Sequence, residues 1–144
     1  VFTLTLTERE TCPTTCGHWA DCYGNNMPFA HRLEHGPTLE SLLFDEVAEK
    51  CERAHQKGRK VLVRLHVLGD FYSVAYVELW RQLLSMHDNL NVWGYQPTSE
   101  FSANSAEITS DGIVCPEQEG KTESCTTCAL CWDAPTKNII FKTH

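Results

Sequence analysis

The stretch Lys60–Phe71, KVLVRLHVLGDF, decides the fold class of this chain. Its run from Lys60 to Leu68 is almost entirely aliphatic or β-branched, which is typical of a central strand buried on both faces. Gly69 and Asp70 then open a loop, and Ser73 follows as a good N-cap for a helix. A buried strand that passes through a short loop into a helix is half of a βαβ unit, so this stretch predicts an α/β fold.

Amphipathic helices are predicted on both sides of this strand. Between Pro37 and Gly58 apolar residues recur at spacings of three and four, with Thr38 as a plausible cap and Gly58 as the stop. The apolar positions of this helix are Leu39, Leu42, Leu43, Val47, Cys51 and Ala54. A second helix is predicted from Ser73 to about His87. Its buried side is expected to consist of Val77, Trp80, Leu83 and Leu84.

Further strands complete a parallel pattern. Apolar and polar residues alternate from Val1 to Thr7, and Asn91–Tyr95 (NVWGY) is the next strand candidate after the second helix. Strand, helix and strand in alternation predict a small parallel sheet, resembling part of a barrel, built of βαβ units. Gln96 to Ser110 is predicted to be a loop or a weak strand pair. Short strands are expected at Ile113–Val114 and Asn138–Phe141.

Composition and charge narrow the domain organisation and the function classes. The chain has 144 residues, so we expect residues 1–144 to form one α/β domain. Its βαβ core would cover 1–95, and a loop-rich, cysteine-rich metal-binding segment, 96–144, would pack on that core. The net charge of -7 makes nucleic acid an improbable partner. No apolar run could span a bilayer, so a cytoplasmic protein with no membrane partner is expected. Because the chain begins at Val1, we expect that native residues precede it.

The eight cysteines are the strongest functional signal. Their even number permits disulfides, but disulfide frameworks belong mostly to smaller, loop-rich domains. Towards the carboxyl end, CPEQEGKTESCTTCALC has the spacing C-x9-C-x2-C-x2-C, and a C-x2-C pair directs two thiolates at one metal atom. An iron-sulfur cluster and a four-cysteine zinc site both fit this array. Its predicted ligands are Cys115, Cys125, Cys128 and Cys131.

A second group, Cys12, Cys16 and Cys22, lies in the loop after the first strand with the spacing C-x3-C-x5-C. Three cysteines leave one coordination position for a remote ligand, solvent or a substrate, and an open position is typical of a reactive metal site. Alternatively, a cysteine of the second array or His18 closes the set. The spacing does not decide whether the seven cysteines form one site or two. Cys51, on an apolar helix face, is expected to be a buried free thiol.

The loop after the central strand carries a third candidate site. The strand delivers His66, Gly69 and Asp70 to the edge of the sheet, where parallel topology brings them beside the Cys12–Cys22 loop. Asp70 could bind an ammonium or hydroxyl group, and His66 is the second catalytic candidate. Alternatively, Asp70 caps the helix and His66 is a hydrogen-bonded core residue. Tyr95, at the end of the next strand, is a candidate wall of a cofactor pocket.

The chain resembles the phage and bacterial proteins grouped as the gene product 88 family. The resemblance rests on TCPTTCGHWADCYGNNMPFAHR, RLHVLGDFYS with the helix after it, SDGIVCPEQ, CTTCALCW and IIFKTH. It implies an α/β cysteine-motif protein without an established reaction. The chain is also distantly similar to the radical S-adenosylmethionine superfamily, in which three cysteines hold a four-iron four-sulfur (4Fe-4S) cluster and a Gly-rich acidic motif contacts the methionine amino group. Cys12, Cys16 and Cys22 match the first element, and Gly69 with Asp70 the second.

Three functional hypotheses follow. The first is an iron-sulfur enzyme of radical type that acts on an unknown small molecule or protein, with S-adenosylmethionine as a cofactor. The second is a non-enzymatic module that zinc or a cluster holds together and that binds a protein or nucleic-acid partner. The third is a nucleic-acid protein, for which the basic residues between Arg53 and Lys60 are the only local support. Such residues also stabilise a helix carboxyl end without any partner.

Overall fold

The computed structural model of the chain describes residues 1–14, 16, 19–94, 112–133 and 138–140. The chain folds as two compact units, Val1–Gln96 and Pro97–His144. The predicted loop from Gln96 to Ser110 lies outside the described residues, and so do His18 and Tyr95.

The first unit is built on a parallel sheet of three strands. These are β1 (Phe2–Thr3), β2 (Val61–Leu65) and β3 (Leu90–Gly94), and they lie in the order β1-β2-β3. Val63 at the centre of β2 is paired with Phe2 on one side and with Val92 on the other. A small parallel sheet with helical crossovers confirms the predicted α/β class.

The first strand is shorter than its alternating pattern predicts, but the chain stays beside β2 after β1 ends. The Leu4 amide donates to the Arg64 carbonyl over 3.0 Å, and the Leu6 amide donates to the Leu68 carbonyl over 2.9 Å. Leu4 and Leu6 are buried in the core, whereas Phe2 is 42% exposed. A four-residue helix, α1 (Glu8–Thr11), follows and leads directly to Cys12.

The first long helix, α2 (Pro37–His55), buries Leu43, Val47 and Cys51 against the sheet. The prediction of Thr38 as its cap is wrong, because Pro37 begins the helix and Gly36 is the N-cap residue. Proline suits a first helical position, where its fixed φ is already helical and its missing N–H is not needed. The prediction that Cys51 is a buried free thiol is confirmed.

The second long helix, α3 (Val74–Met86), begins after Ser73, as predicted. The Ser73 hydroxyl accepts a hydrogen bond from the Tyr76 amide over 3.0 Å, which satisfies one of the free donors of the first turn. Its buried face is rotated from the predicted one, since Val77 and Leu84 are more than 40% exposed. The buried residues lie at i, i+3, i+4 and i+7, and are Tyr76, Leu79, Trp80 and Leu83.

The described residues of the second unit form short elements. β4 (Gly112–Val114) and β5 (Asn138–Ile140) form a parallel pair, which confirms a short strand at both predicted places as far as Ile140. Two single-turn helices lie between them, α4 (Cys125–Cys128) and α5 (Leu130–Asp133). Among the described residues of both units, no helix is long and apolar enough to cross a bilayer.

Candidate metal centre in the cysteine loop

The loops that leave β1 and β2 meet at the carboxyl edge of the sheet, because Gly69 packs directly on the chain after β1. A Cβ at Gly69 would lie 2.6 Å from the Thr11 hydroxyl oxygen and 2.7 Å from the Leu6 Cβ. Gly69 also has a φ of 89°, a backbone conformation that residues with a Cβ rarely adopt. Both constraints require glycine at this position.

The chain turns irregularly just after β2, where this approach begins. The Leu4 amide donates to the Arg64 carbonyl, so a regular parallel ladder would return the next bond from the His66 amide. The bond comes instead from Val67, over 2.7 Å, so the regular register ends with β2. His66 has a φ of 58°, as expected where a chain turns sharply. This turn leads into the loop that carries Asp70.

Asp70 is held beside the first cysteine by Thr11. The Asp70 amide donates to the Thr11 hydroxyl over 3.2 Å, and this hydroxyl donates to the Thr7 carbonyl over 2.9 Å. One carboxylate oxygen of Asp70 accepts a hydrogen bond from the Phe71 amide over 2.7 Å. Burial raises the pKa of Asp70 above its usual range. The structure thus brings together the two loops that the parallel topology predicts to be neighbours.

Negative groups concentrate around Cys12. Burial, followed by the charges of Asp70, Cys16 and Cys22 in that order of importance, raises the pKa of the Cys12 thiol to about 11. The three cysteines of the loop are all half-buried. Without a cation, Cys12 therefore stays protonated at neutral pH. Bound positive charge would reverse this effect and favour the thiolate.

The cysteines whose side chains the structure describes form no disulfide. They are six free thiols: Cys12, Cys16, Cys22, Cys51, Cys115 and Cys128. Within the described part of the chain, no group of three or more His, Cys, Asp or Glu side chains is arranged to hold a metal ion.

A buried ion pair joins the two ends of the cysteine loop. Glu8 is 8% exposed, and its two carboxylate oxygens accept from the Nε and Nη2 of Arg32 over 2.7 Å and 3.0 Å. This contact lowers the pKa of Glu8 and raises that of Arg32. The sequence argument missed both residues, because 24 positions separate them. Arg32 nevertheless ends the first stretch that carries the family resemblance.

The family comparison matches this same part of the chain. A family model described as gene product 88 matches residues 1–106 of the 144. The chain belongs to the gene product 88 family. No curated protein and no solved structure matches it, so the comparisons give no support to the distant similarity to the radical S-adenosylmethionine superfamily. The family match includes Cys12–Cys22 and Asp70, and it ends before the second cysteine array.

His66 of this gene product 88 protein lies in an aromatic cluster at the start of α3. It is 6% exposed, and its Nε2 lies 3.2 Å from the Tyr76 hydroxyl. The Phe71 ring meets the imidazole edge-on, and Tyr72 stacks on Tyr76. Burial lowers the pKa of His66 to about 4, so the imidazole is neutral at pH 7. These contacts agree with the alternative that His66 is a hydrogen-bonded core residue. A catalytic role for His66 stays a prediction.

The second cysteine array lies entirely in the second unit. Cys115 directly follows β4 and is buried, whereas Cys125 begins α4 and Cys128 ends it. Ala129 has a φ of 55° and separates α4 from the helix that contains Cys131. The described side chains include Cys115 and Cys128 but not those of Cys125 and Cys131. Ligation by all four therefore stays a prediction.

Two other surface features belong to the first unit and include none of the predicted metal-ligand cysteines. An open groove of about 560 Å³ runs between α2 and α3, and Phe44 and Leu79 are among its lining residues. The predicted basic segment lies at the amino end of β2, opposite the edge where the cysteine loop begins. Within it, Arg53 forms an ion pair with Glu49 over 3.2 Å. Neither feature includes a residue predicted for the metal or cofactor site.

Replacing Gly69 by alanine should destabilise the protein more than the same change at Gly58. Both residues have a positive φ, but a Cβ at Gly58 would meet nothing within 4 Å. Gly58→Ala should therefore cost only the backbone strain, about 1 kcal/mol. Gly69→Ala should cost roughly 1–3 kcal/mol more, because Leu6 and Thr11 must move. Urea unfolding of both variants measures the difference. If both variants lose the same free energy of unfolding, the close contacts of Gly69 with Leu6 and Thr11 add no cost to a Cβ at that position.

Buried His66 should make the protein less stable in acid. The unfolded histidine takes up a proton near pH 6.5 and the folded one only near pH 4. The contribution of His66 to the free energy of unfolding is therefore fully present above pH 6.5 and is lost as the pH falls towards 4. The loss at pH 4 should be about 3 kcal/mol. His66→Asn should remove this pH dependence in urea unfolding, since asparagine does not titrate and tolerates a positive φ.

Tyr76→Phe is the matched control for this experiment. It removes the hydroxyl that contacts the His66 Nε2 but keeps the imidazole buried. It should lower stability by about 1 kcal/mol at every pH and keep the acid dependence. A His66→Asn protein with the acid dependence of the unmodified chain would contradict the assignment to His66.

Proposed function

We propose that this gene product 88 protein is an iron-sulfur protein in which Cys12, Cys16 and Cys22 hold a 4Fe-4S cluster. The observation that carries the proposal is the environment of Cys12, whose pKa is raised to about 11 by burial and by the charges of Asp70 and the two other cysteines. Cys12 thus lies within the influence of a carboxylate and two further thiols. A bound cation would offset the negative charge that disfavours its ionisation.

The donor set suits such a metal group by its chemistry. Thiolates are soft ligands that favour iron-sulfur clusters and zinc, and three of them come from one loop. The described side chains are not yet arranged around a common point, so binding must bring the three sulfurs together. Because the thiols must also lose their protons, we expect metal affinity to rise with pH.

The carboxyl edge of the sheet supports a role for Asp70 in binding a small cofactor. With three protein ligands, a cluster supplies electrons and leaves one iron accessible to a small molecule. Asp70 is fixed through its own amide by Thr11, and one of its oxygens is occupied by the Phe71 amide. Its other oxygen has no hydrogen-bond partner among the described residues. A carboxylate held in this way suits the ammonium group of S-adenosylmethionine.

The parallel sheet also favours a reactive site at this edge. In barrels and in doubly wound sheets alike, ligands bind beyond the carboxyl ends of the parallel strands. The sequential order β1-β2-β3 is compatible with the proposed likeness to part of a barrel and equally with one half of a doubly wound sheet. Both put the loops after β1 and β2 at the binding edge.

A second candidate function is supported by the size of the second unit. Its described regular elements are two strands of three residues and two helices of four residues. Elements this short bury too little apolar surface to hold a fold by themselves. Zinc or a cluster on Cys115, Cys125, Cys128 and Cys131 would supply the missing free energy, about 10 kcal/mol for structural zinc. The chain would then be a metal-stapled module that binds a partner, with or without an enzymatic site.

The cysteine sets can be tested separately in the full chain. Serine at Cys12, Cys16 and Cys22 should lower the iron content by at least about tenfold and remove the visible absorption of the cluster. Serine at Cys125 and Cys128 should remove the remaining metal and unfold the second unit. Elemental analysis and the visible spectrum of anaerobically purified protein measure both effects.

Cys51→Ala is the control for these variants, because Cys51 is buried in the core and outside both sets. It should keep the full metal content. A colourless protein that holds one zinc ion, unaffected by serine at Cys12, Cys16 and Cys22, would exclude the proposed cluster. If the serine variants of both cysteine sets bind as much metal as the unmodified protein, both candidate functions are excluded.

Asp70→Asn separates an enzyme from a stapled module. Asparagine keeps the oxygen that accepts from the Phe71 amide, so the fold and the metal content should not change. Binding of S-adenosylmethionine, measured by calorimetry on the reduced protein, should weaken by at least about tenfold through loss of the charged hydrogen bond. Glu10→Gln, an exposed acid of α1, is the matched control and should bind normally. Unchanged binding in Asp70→Asn, or none in the unmodified protein, would favour the module.

A further inference from the structure

We infer that Arg32 is a positioning residue of the proposed metal site, and that its ion pair with Glu8 restrains the loop that carries the three cysteines, so that less of the chain must be ordered when metal binds. The inference rests on the proposed function. Glu8 lies four residues before Cys12, and Arg32 lies ten residues after Cys22. The ion pair therefore closes the chain around all three cysteines and removes much of the freedom of the loop between them.

Arg32 fixes the loop through every donor of its guanidinium group. Besides its two bonds to Glu8, it donates from Nη1 to the Met27 and Ala30 carbonyls over 3.1 Å and 3.0 Å. Its Nη2 also donates to the Gly24 carbonyl over 3.1 Å. These carbonyls belong to the turn that directly follows Cys22. Within the described part of the chain, these hydrogen bonds reach only α1 and the turn after Cys22, so we expect the effect of Arg32 to be local to the loop.

Gly24 makes this arrangement compact. It is buried, and a Cβ there would overlap the Glu8 carboxylate and lie 3.2 Å from the Leu68 Cδ2. The backbone of the turn after Cys22 thus packs directly on the carboxylate. The Asn25 amide then donates to the Cys22 carbonyl over 2.8 Å, which connects the turn to the last cysteine.

The ion pair adds little to the charge around the first cysteine. Glu8 is the smallest of the causes that raise the pKa of Cys12. The Arg32 guanidinium offsets the charge of Glu8 through two hydrogen bonds, so the pair orders the loop without a large increase in the negative charge near Cys12.

Arg32→Lys tests this inference against the matched change Arg9→Lys. Lysine keeps the charge but cannot make the planar, five-donor contact of arginine. Arg9 also reaches the loop, through one exposed bond of 2.7 Å from its Nη2 to the Asn25 side chain. Cobalt(II) is the probe, and its absorption on thiolate binding is measured in the full chain. Arg32→Lys should weaken cobalt binding at the three-cysteine site by about 10- to 100-fold, whereas Arg9→Lys should leave it unchanged.

Hydrogen exchange shows whether the effect comes from the loop. In metal-free Arg32→Lys, the Asn25, Met27 and Ala30 amides should exchange faster, and those of β2 and α3 should keep their protection. If Arg32→Lys fails to fold, Glu8→Gln is measured instead; it keeps the shape of the side chain and should show the same loop exchange and weaker cobalt binding.

The outcomes separate the two proposals. If Cys22→Ser and the unmodified protein bind cobalt identically, the three-cysteine site is wrong and the positioning role falls with it. If Cys22→Ser loses cobalt but Arg32→Lys and Glu8→Gln bind it as the unmodified protein does, the metal site stands and the positioning role is overturned. If both Arg32→Lys and Glu8→Gln lose hydrogen-exchange protection throughout the first unit, the positioning role is also overturned. The ion pair would then stabilise the whole fold of that unit and not the loop in particular.

Discussion

The close contact between Gly69 and the chain after β1 determines where the chemistry of this protein can occur. Gly69 approaches Leu6 and Thr11 to distances that no Cβ would permit. This approach lets the Thr11 hydroxyl accept from the Asp70 amide, and Thr11 directly precedes Cys12. A larger residue at position 69 would push the two loops apart. The carboxylate and the cysteines would then no longer share one environment.

The electrostatics of that environment follow from the geometry. The Cys12 thiol is partly removed from water, and the negative charge of Asp70 is the largest that acts on it. Low solvation strengthens the repulsion between negative groups, so Cys12 ionises less readily than a free cysteine. Glu8 adds a smaller part of the negative charge, which the Arg32 guanidinium offsets through two hydrogen bonds. A bound cation would therefore favour the Cys12 thiolate.

Local rules predicted much of this fold from the sequence, and non-local contacts account for what they missed. The Ser73 cap and the central strand depend on neighbouring residues, and both are present as predicted. The buried face of α3 depends on what it packs against, and there Tyr76 displaces Val77 from the core. The juxtaposition of Asp70 and Cys12 could be predicted because parallel strands place their following loops on one edge. The Glu8–Arg32 pair could not, since no periodicity connects its two residues.

The turn at His66 connects the core to the candidate site. A histidine with a φ of 58° is strained, and such strain persists only where other contacts compensate for it. Here the compensation is visible, because the imidazole is buried between Phe71 and Tyr76 and lies within hydrogen-bond distance of the Tyr76 hydroxyl. The same turn leads to Gly69, which packs on Leu6 and Thr11. The aromatic contacts of His66 therefore act on the cysteine loop indirectly, by stabilising the bend that precedes Asp70.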